Sequence, residues 1–247
     1  NIGIGKSAGS CNSSGDNNIA LGTNAGFANT NGSYNIWFGA YAGKCRSKGS
    51  YNIMFGHNAG KDAQHGAASG YYGNDNIFLG RRAGFCGAYS RNILVGKDAG
   101  KSSCGGCQNI AIGYEAMLEG TGDAFNNVVL GSCYTAQKLT TGNQNFIVGF
   151  QAGRCLCSGS SNIYLGTYAG KGSSTTSDNT GGNNIALGTN AMRDITTGYQ
   201  NVTLGLDAGK CLTTGLNNIL LGLKAGSQTA ALTGRCNTFI GSYSGNK

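Results

Sequence analysis

One short motif recurs fourteen times along this chain of 247 residues. It reads Asn, apolar, variable, apolar, Gly, two variable residues, Ala, Gly, and every copy keeps the Asn and the Gly four residues later. Most copies start 16 to 19 residues after the previous one, and two units are longer, at 24 and 22 residues. The copies begin at Asn1, Asn18, Asn35, Asn52, Asn76, Asn92, Asn109, Asn127, Asn145, Asn162, Asn184, Asn201, Asn218 and Asn237. A nearly fixed period indicates a repeat architecture in which each unit stacks on its neighbours.

The length and composition of the unit decide its structure. About 17 residues are too few for helical-hairpin repeats, which need about 33. The 45 glycines also oppose helix. Short apolar segments bounded by Gly and Asn are typical of strands. We therefore predict an all-β, parallel β-solenoid of about fourteen coils, each with two short strands and two turns. It would form a single repeat domain over residues 1–247, as a segment of a longer fibre.

Strand side chains alternate between two faces, which divides the motif into inward and outward positions. The residues one and three after the Asn are apolar almost throughout, and we expect them to fill the core. The Ala, present in twelve units, is small enough to line the opposite wall.

The residue between the two core positions would then point outward. It is apolar or aromatic in twelve of the fourteen units. A long apolar stripe on a surface indicates a protein interface. We predict self-association there, the alternative being a flat sheet with unusually apolar outer residues. The candidate interface residues are Trp37, Met54, Phe78, Leu94, Val129, Ile147, Tyr164, Leu220 and Phe239.

The repeat unit resembles those of known fibrous and adhesive proteins. The Asn-apolar-x-apolar-Gly units are similar to the head repeats of trimeric autotransporter adhesins, which form left-handed parallel β-rolls. With the Ala-Gly pair and a Thr-Thr-Gly-x-x-Asn linker, as in residues 140–145 and 196–201, the unit looks still more like repeats of phage tail-fibre proteins. The resemblance implies a left-handed β-roll type of solenoid and a homotrimer.

Ten cysteines follow the repeat only in part. Five of them, at positions 11, 45, 86, 155 and 211, lie ten residues after the motif Asn. The nearest neighbours in that column are two rungs apart, about 9.6 Å, which exceeds the roughly 7 Å limit for a disulfide. Only Cys86 with Cys104 or Cys107 would lie on adjacent rungs, and this is the one disulfide we consider. Small unpaired thiols, suited to assembly in a reducing cytoplasm, are the favoured interpretation.

Basic residues recur nine positions after the Asn. They are Lys44, Lys61, Lys101, Arg154, Lys171, Arg193 and Lys210. One interpretation is a ladder for anionic polysaccharide or lipopolysaccharide, and the favoured one is protection of a sheet edge together with solubility. The first long unit supplies a further candidate binding loop, with His65, Tyr71 and Tyr72. The second long unit, over residues 171–183, is rich in Ser, Thr and Gly.

The residue inventory argues against catalysis. The only histidines are His57 and His65, and neither lies near an acid–nucleophile pair. We predict no enzyme activity, no metal and no cofactor. The net charge of +8 favours anionic surfaces without specifying nucleic acid. No apolar run approaches the roughly 18 residues of a membrane helix. We expect neither a nucleic-acid partner nor membrane insertion.

These features together favour a structural protein. We predict a rigid homotrimeric fibre of a virion, such as a phage tail fibre, that supports attachment to a glycan or receptor on the host surface. The alternative is a bacterial surface adhesin head, located on the bacterial cell surface. An ice-binding solenoid ranks lower, because Thr does not recur at a fixed strand position.

Overall fold

The computed structural model describes residues 1–45, 48–62, 73–86, 90–102, 106–120, 122–173, 179–227 and 231–246. It contains fourteen strands of three residues, one for each motif copy. The strands are β1 (Ile2–Ile4), β2 (Ile19–Leu21), β3 (Ile36–Phe38), β4 (Ile53–Phe55), β5 (Ile77–Leu79), β6 (Ile93–Val95), β7 (Ile110–Ile112), β8 (Val128–Leu130), β9 (Phe146–Val148), β10 (Ile163–Leu165), β11 (Ile185–Leu187), β12 (Val202–Leu204), β13 (Ile219–Leu221) and β14 (Thr238–Ile240). The strands belong to one parallel sheet in sequence order, and the described residues form no helix.

The predicted parallel β-solenoid is therefore confirmed, with the Asn immediately before each strand and the Gly immediately after it. Equivalent motif positions pair in register, so Ile36 lies beside Ile53 and Trp37 beside Met54. One detail of the prediction was wrong. Each described coil contains one named strand rather than two, and its remaining sides are turns joined by isolated bridges such as Tyr199 to Leu216. Gly-rich corners provide these turns, leaving too few residues for a second regular strand.

The chain divides into two compact units, Asn1–Phe125 and Asn126–Lys247. Seven motif copies fall in each. The single-domain organisation stays a prediction.

A ladder of buried Asn side chains joins consecutive coils. The backbone N–H of Asn35 donates to Oδ1 of Asn18 at 2.9 Å, and Nδ2 of Asn35 donates to the same oxygen at 3.0 Å. That Nδ2 also donates to the carbonyl oxygen of Gly49 at 2.7 Å, across the coil. The same pattern recurs in the second unit, for example at Asn201. Each ladder amide therefore joins two neighbouring coils and also bonds across its own coil.

The prediction of which strand residues face inward was wrong. The middle residues fill the core: Trp37, Met54, Phe78, Leu94, Val129, Ile147, Tyr164 and Leu220 are at most 3% exposed in a single chain, and Phe239 in β14 is half-buried. The eight buried side chains lie inside the coil and cannot form an interface. The reason is parity, because the middle residue shares a face with the Asn, whose amide must point inward to form its hydrogen bonds.

The wall opposite the strands is built from small residues, as predicted. Eleven of the twelve motif alanines, from Ala25 to Ala225, are fully buried. The glycine that follows the Ala packs directly against the middle column. A Cβ on Gly26 or Gly43 would lie 2.3 or 2.2 Å from the indole of Trp37. Glycine at this position therefore makes room for a column that ranges in size from Gly3 to Trp37.

Two corners of each described coil use the left-handed backbone region. The residue before the Asn and the residue six after it have positive φ, as at Tyr34 (59°) and Tyr41 (61°). Asn and Asp occupy several of these corners, since they tolerate this region better than other non-glycine residues. These corners turn the chain sharply enough to close a coil in about 17 residues.

Candidate interaction surfaces

The outer face of the sheet carries two apolar columns, one on each side of the buried middle residue. The residues one and three after the Asn point outward, and none of these 28 side chains is buried. All but Thr238 are Ile, Leu, Val or Phe. Ile36, Phe38, Ile53 and Phe55 are 40 to 52% exposed, and the rings of Phe38 and Phe55 stack with centroids 4.4 Å apart. We call this surface the outer strand face.

The basic residues predicted to recur along one edge do fall in one column of each unit. In the first unit, the backbone N–H of Cys45 donates to the carbonyl of Lys61, which pairs Lys44 with Lys61 on adjacent coils. Phe85 then separates Lys61 from Lys101. In the second unit Arg154, Lys171, Arg193 and Lys210 occupy four consecutive coils. We call the column of these basic residues in each unit the basic column.

The partners of the basic column differ along its length. Arg193 forms a double ion pair with Asp194, at 2.7 and 2.8 Å. Asp207 lies 4.0 Å from Nζ of Lys210. Arg154 instead donates to the side-chain oxygens of Gln137 and Gln151, at 3.1 and 3.2 Å. The positive charge is therefore least compensated at the β9 and β10 coils.

Aromatic rings lie under several of these cations. The guanidinium of Arg154 is 5.2 Å from the Tyr134 ring centroid, and Nζ of Lys171 is 5.7 Å from that of Tyr168. In the first unit, Lys61 lies over Phe85 at 5.5 Å. Such cation–π contacts fix the positions of the charges without neutralising them.

Other predicted binding residues lie outside the described parts of the chain. His65, Tyr71 and Tyr72 fall in the range 63–72, and part of the second long unit falls in the range 174–178. Their proposed role in binding stays a prediction.

The cysteine column has the predicted spacing. Asp62 lies between Cys45 and Cys86 in the ladder and forms a parallel bridge with Cys86. Cys107 is a free thiol, which removes the Cys86–Cys107 pairing. Cys104, and the alternative Cys86–Cys104 pairing with it, lies outside the described residues. Within the described ranges, no group of three or more His, Cys, Asp or Glu side chains could hold a metal ion.

We expect the Cys45 thiol to react slowly. Burial raises its pKa, and the negative charge and hydrogen bond of Asp62 raise the pKa further. Because the thiolate is the nucleophile, iodoacetamide at pH 8 should alkylate Cys45 about tenfold more slowly than the exposed Cys11. Asp62→Asn should accelerate alkylation of Cys45 about threefold and leave Cys11 unchanged. Peptide mass spectrometry over time measures both rates, and equal rates in the wild type would contradict the assignment.

A cavity of about 60 Å³ lies beside β1 and β2. Its lining includes Gly3, Ala20 and Trp37, so it arises where two small middle residues meet the large indole. Apolar and amide side chains make up the rest of the wall. The cavity thus results from small side chains packing beside the indole.

Comparison of the chain with family models, curated proteins and solved structures found no match. The resemblance to fibre and adhesin repeats therefore rests on the motif alone and stays a prediction beyond the solenoid fold. Among the described residues, no helix has the length and apolar character needed to cross a membrane.

The outer strand face was not predicted from the sequence, because its two columns of residues were expected in the core. The motif Asn was the signal that could have placed them. A side chain able to hydrogen-bond along a ladder is most useful inside a coil, and parity then sends its neighbours outward. Gln137 and Gln151, which hold Arg154, were also missed, since isolated glutamines carry no recognisable pattern.

Proposed function

We propose that this chain is a segment of a rigid, homotrimeric structural fibre of a virion, and that it supports attachment to a host surface. The outer strand face is the observation that carries the proposal. It carries fourteen outward side chains in each unit, none of them buried, and all but Thr238 are Ile, Leu, Val or Phe. Soluble monomers rarely expose a contiguous apolar patch of this size.

A second copy of the same chain is the occupant that fits this face best. Its coils repeat at the same spacing, about 4.8 Å, so the ridges of Ile and Leu on one copy can meet equivalent grooves on another along the whole face. The face also carries no charged side chain in any strand, so apposed copies would bury no unpaired charge. The trimeric state is what the motif resemblance implies.

The structural role is supported by how the coils hold together. Hydrogen bonds between backbones and between ladder Asn side chains recur in both units and leave the outward positions free for contact. Free thiols at Cys11, Cys45, Cys155 and Cys211 suit assembly in a reducing cytoplasm before release.

Self-association is tested by changing the outer strand face. The wild type should be a trimer in solution. The double variant Phe38→Ser with Phe55→Ser should shift toward monomer because it loses two exposed aromatic side chains. Its association constant should be at least about tenfold weaker. Multi-angle light scattering across a concentration series measures this. The control Tyr51→Ser removes an aromatic ring that is 58% exposed but lies outside the strands, and it should stay trimeric. A wild-type monomer at high concentration would overturn the proposal, and a stable dimer would overturn its trimeric part.

The virion location needs a separate experiment. Antibodies raised against the chain should label a fibrous appendage on purified virions from cultures that produce it. Labelling of a bacterial envelope instead would contradict a virion fibre and favour the adhesin head.

A further inference from the structure

We infer that the basic column of the second unit is a binding site for a linear anionic polysaccharide, whose chain lies along the column. This inference rests on the proposed surface-attachment function, since it names the class of ligand that such a surface would present. It does not depend on self-association, because the column lies on the turns and not on the outer strand face.

The charge distribution of the second unit is the first support. Residues 126–247 contain eight Lys or Arg and three Asp. Four of the eight basic residues form the column, and Lys138 lies in the next column, on the coil before Arg154. The described carboxylates nearby, Asp194 and Asp207, both face the Arg193 and Lys210 end. Positive charge is therefore concentrated around Lys138, Arg154 and Lys171.

The site is also partly preorganised. Arg154 is held by two glutamine oxygens and by the face of Tyr134. Gln137 is buried, with 7% of its surface exposed, so the bond that it accepts from Nε fixes the guanidinium. Nη2 of Arg154 has no described partner and can donate to a ligand. A side chain ordered before binding loses less entropy when a ligand arrives.

The spacing favours an extended polyanion. Consecutive coils place one cation about every 4.8 Å in a straight line, over about 14 Å in four coils. An acidic polysaccharide carries its carboxylates or sulfates at regular intervals along an extended chain, so successive groups can meet successive cations. Duplex DNA has one phosphate per strand for about every 3.4 Å of helix axis, and successive phosphates wind around the axis and do not follow a straight line.

Two other anionic partners fit less well. Proteins that bind single-stranded nucleic acid combine a basic groove with open aromatic faces on which the bases stack. Here the faces of Tyr134 and Tyr168 are covered by Arg154 and Lys171. An anionic membrane presents a plane of charge, whereas the basic column is one residue wide and has Asp194 beside one end.

The test measures binding of a hexamer of uronate by isothermal titration calorimetry at low and physiological salt. The variant Arg154→Gln with Lys171→Gln should bind about 20-fold more weakly, since two charge-assisted contacts are lost. The matched control Lys224→Gln with Arg235→Gln removes two charges from the same unit but outside the column, and it should change affinity less than about threefold. Circular dichroism checks that both variants are folded.

Three further ligands complete the test. A neutral glucose hexamer should not bind, and a 12-nucleotide single-stranded DNA and vesicles with 30% phosphatidylserine should bind more weakly than the uronate. Equal losses in the two variants, or no uronate binding, would overturn the inference. Tighter binding of DNA or vesicles would replace polysaccharide with that partner. Light scattering on the same samples separates this result from self-association, because a trimer that fails to bind uronate refutes only the site.

Discussion

Gly43→Ala is expected to lower the free energy of unfolding by about 4 kcal/mol, whereas Gly9→Ala should lower it by only about 1 to 2 kcal/mol. Both glycines follow the motif Ala, and their φ angles are nearly equal, at 58° and 61°. A Cβ at position 9 would meet nothing closer than the Ala20 methyl at 4.0 Å, whereas at position 43 it would lie 2.2 Å from Nε1 of Trp37. The control therefore isolates the cost of the left-handed backbone from the cost of the clash.

Urea unfolding followed by circular dichroism measures both effects, at one protein concentration because association would add to stability. Trp37→Leu should relieve the clash, so Gly43→Ala should cost at least about 1 kcal/mol less in that background than in the wild type. Equal costs for the two glycine variants would show that the indole does not pack against Gly43.

The second large effect concerns the Asn ladder. Asn201→Asp is nearly isosteric and still accepts the two hydrogen bonds from Asn218, but at neutral pH it cannot donate to Oδ1 of Asn184 or to the carbonyl of Gly215. The carboxylate would be fully buried against two oxygen acceptors. We expect a loss of about 4 kcal/mol at pH 7.

The loss should depend on pH in a defined direction. Burial and the facing oxygens raise the pKa of the introduced carboxyl above its unfolded value. Stability relative to the wild type should therefore be highest below the unfolded pKa, near 4, where the carboxyl is protonated and can donate. It should then fall as the pH rises through the folded pKa. Thermal melting from pH 4 to pH 8 measures this, and the exposed Asn217→Asp should show little of it. A flat difference would contradict the ladder's role.

The repeat predicted the coil, its parallel stacking and its boundaries because Asn and Gly fix where each strand begins and ends. It did not predict which face is buried. Three consecutive positions of the motif are apolar, as in Ile36, Trp37 and Phe38, so hydrophobicity alone could not choose between the two alternations. The choice depends on the hydrogen bonds of the motif Asn, such as those of Asn35 to Asn18 and Gly49, and the hydrophobic pattern does not carry that information.

The candidate surfaces were likewise predicted from the sequence only in part. The sequence predicted that Arg154, Lys171, Arg193 and Lys210 lie in one column, because equivalent motif positions stack in a solenoid. Their unequal neutralisation was not, since it depends on Asp194 and Asp207 lying beside particular coils. The side-chain amides that hold Arg154 come from two different coils and follow no period.

In-register stacking has a consequence for how such a chain can change. Each motif position defines a line along the stack, so duplication of one unit would extend every line by one step of about 4.8 Å and leave its chemistry unaltered. Substitutions at outward positions would in turn alter one line without disturbing the Asn amides or the Gly corners that close the coil. Length and surface character can therefore vary independently in this chain.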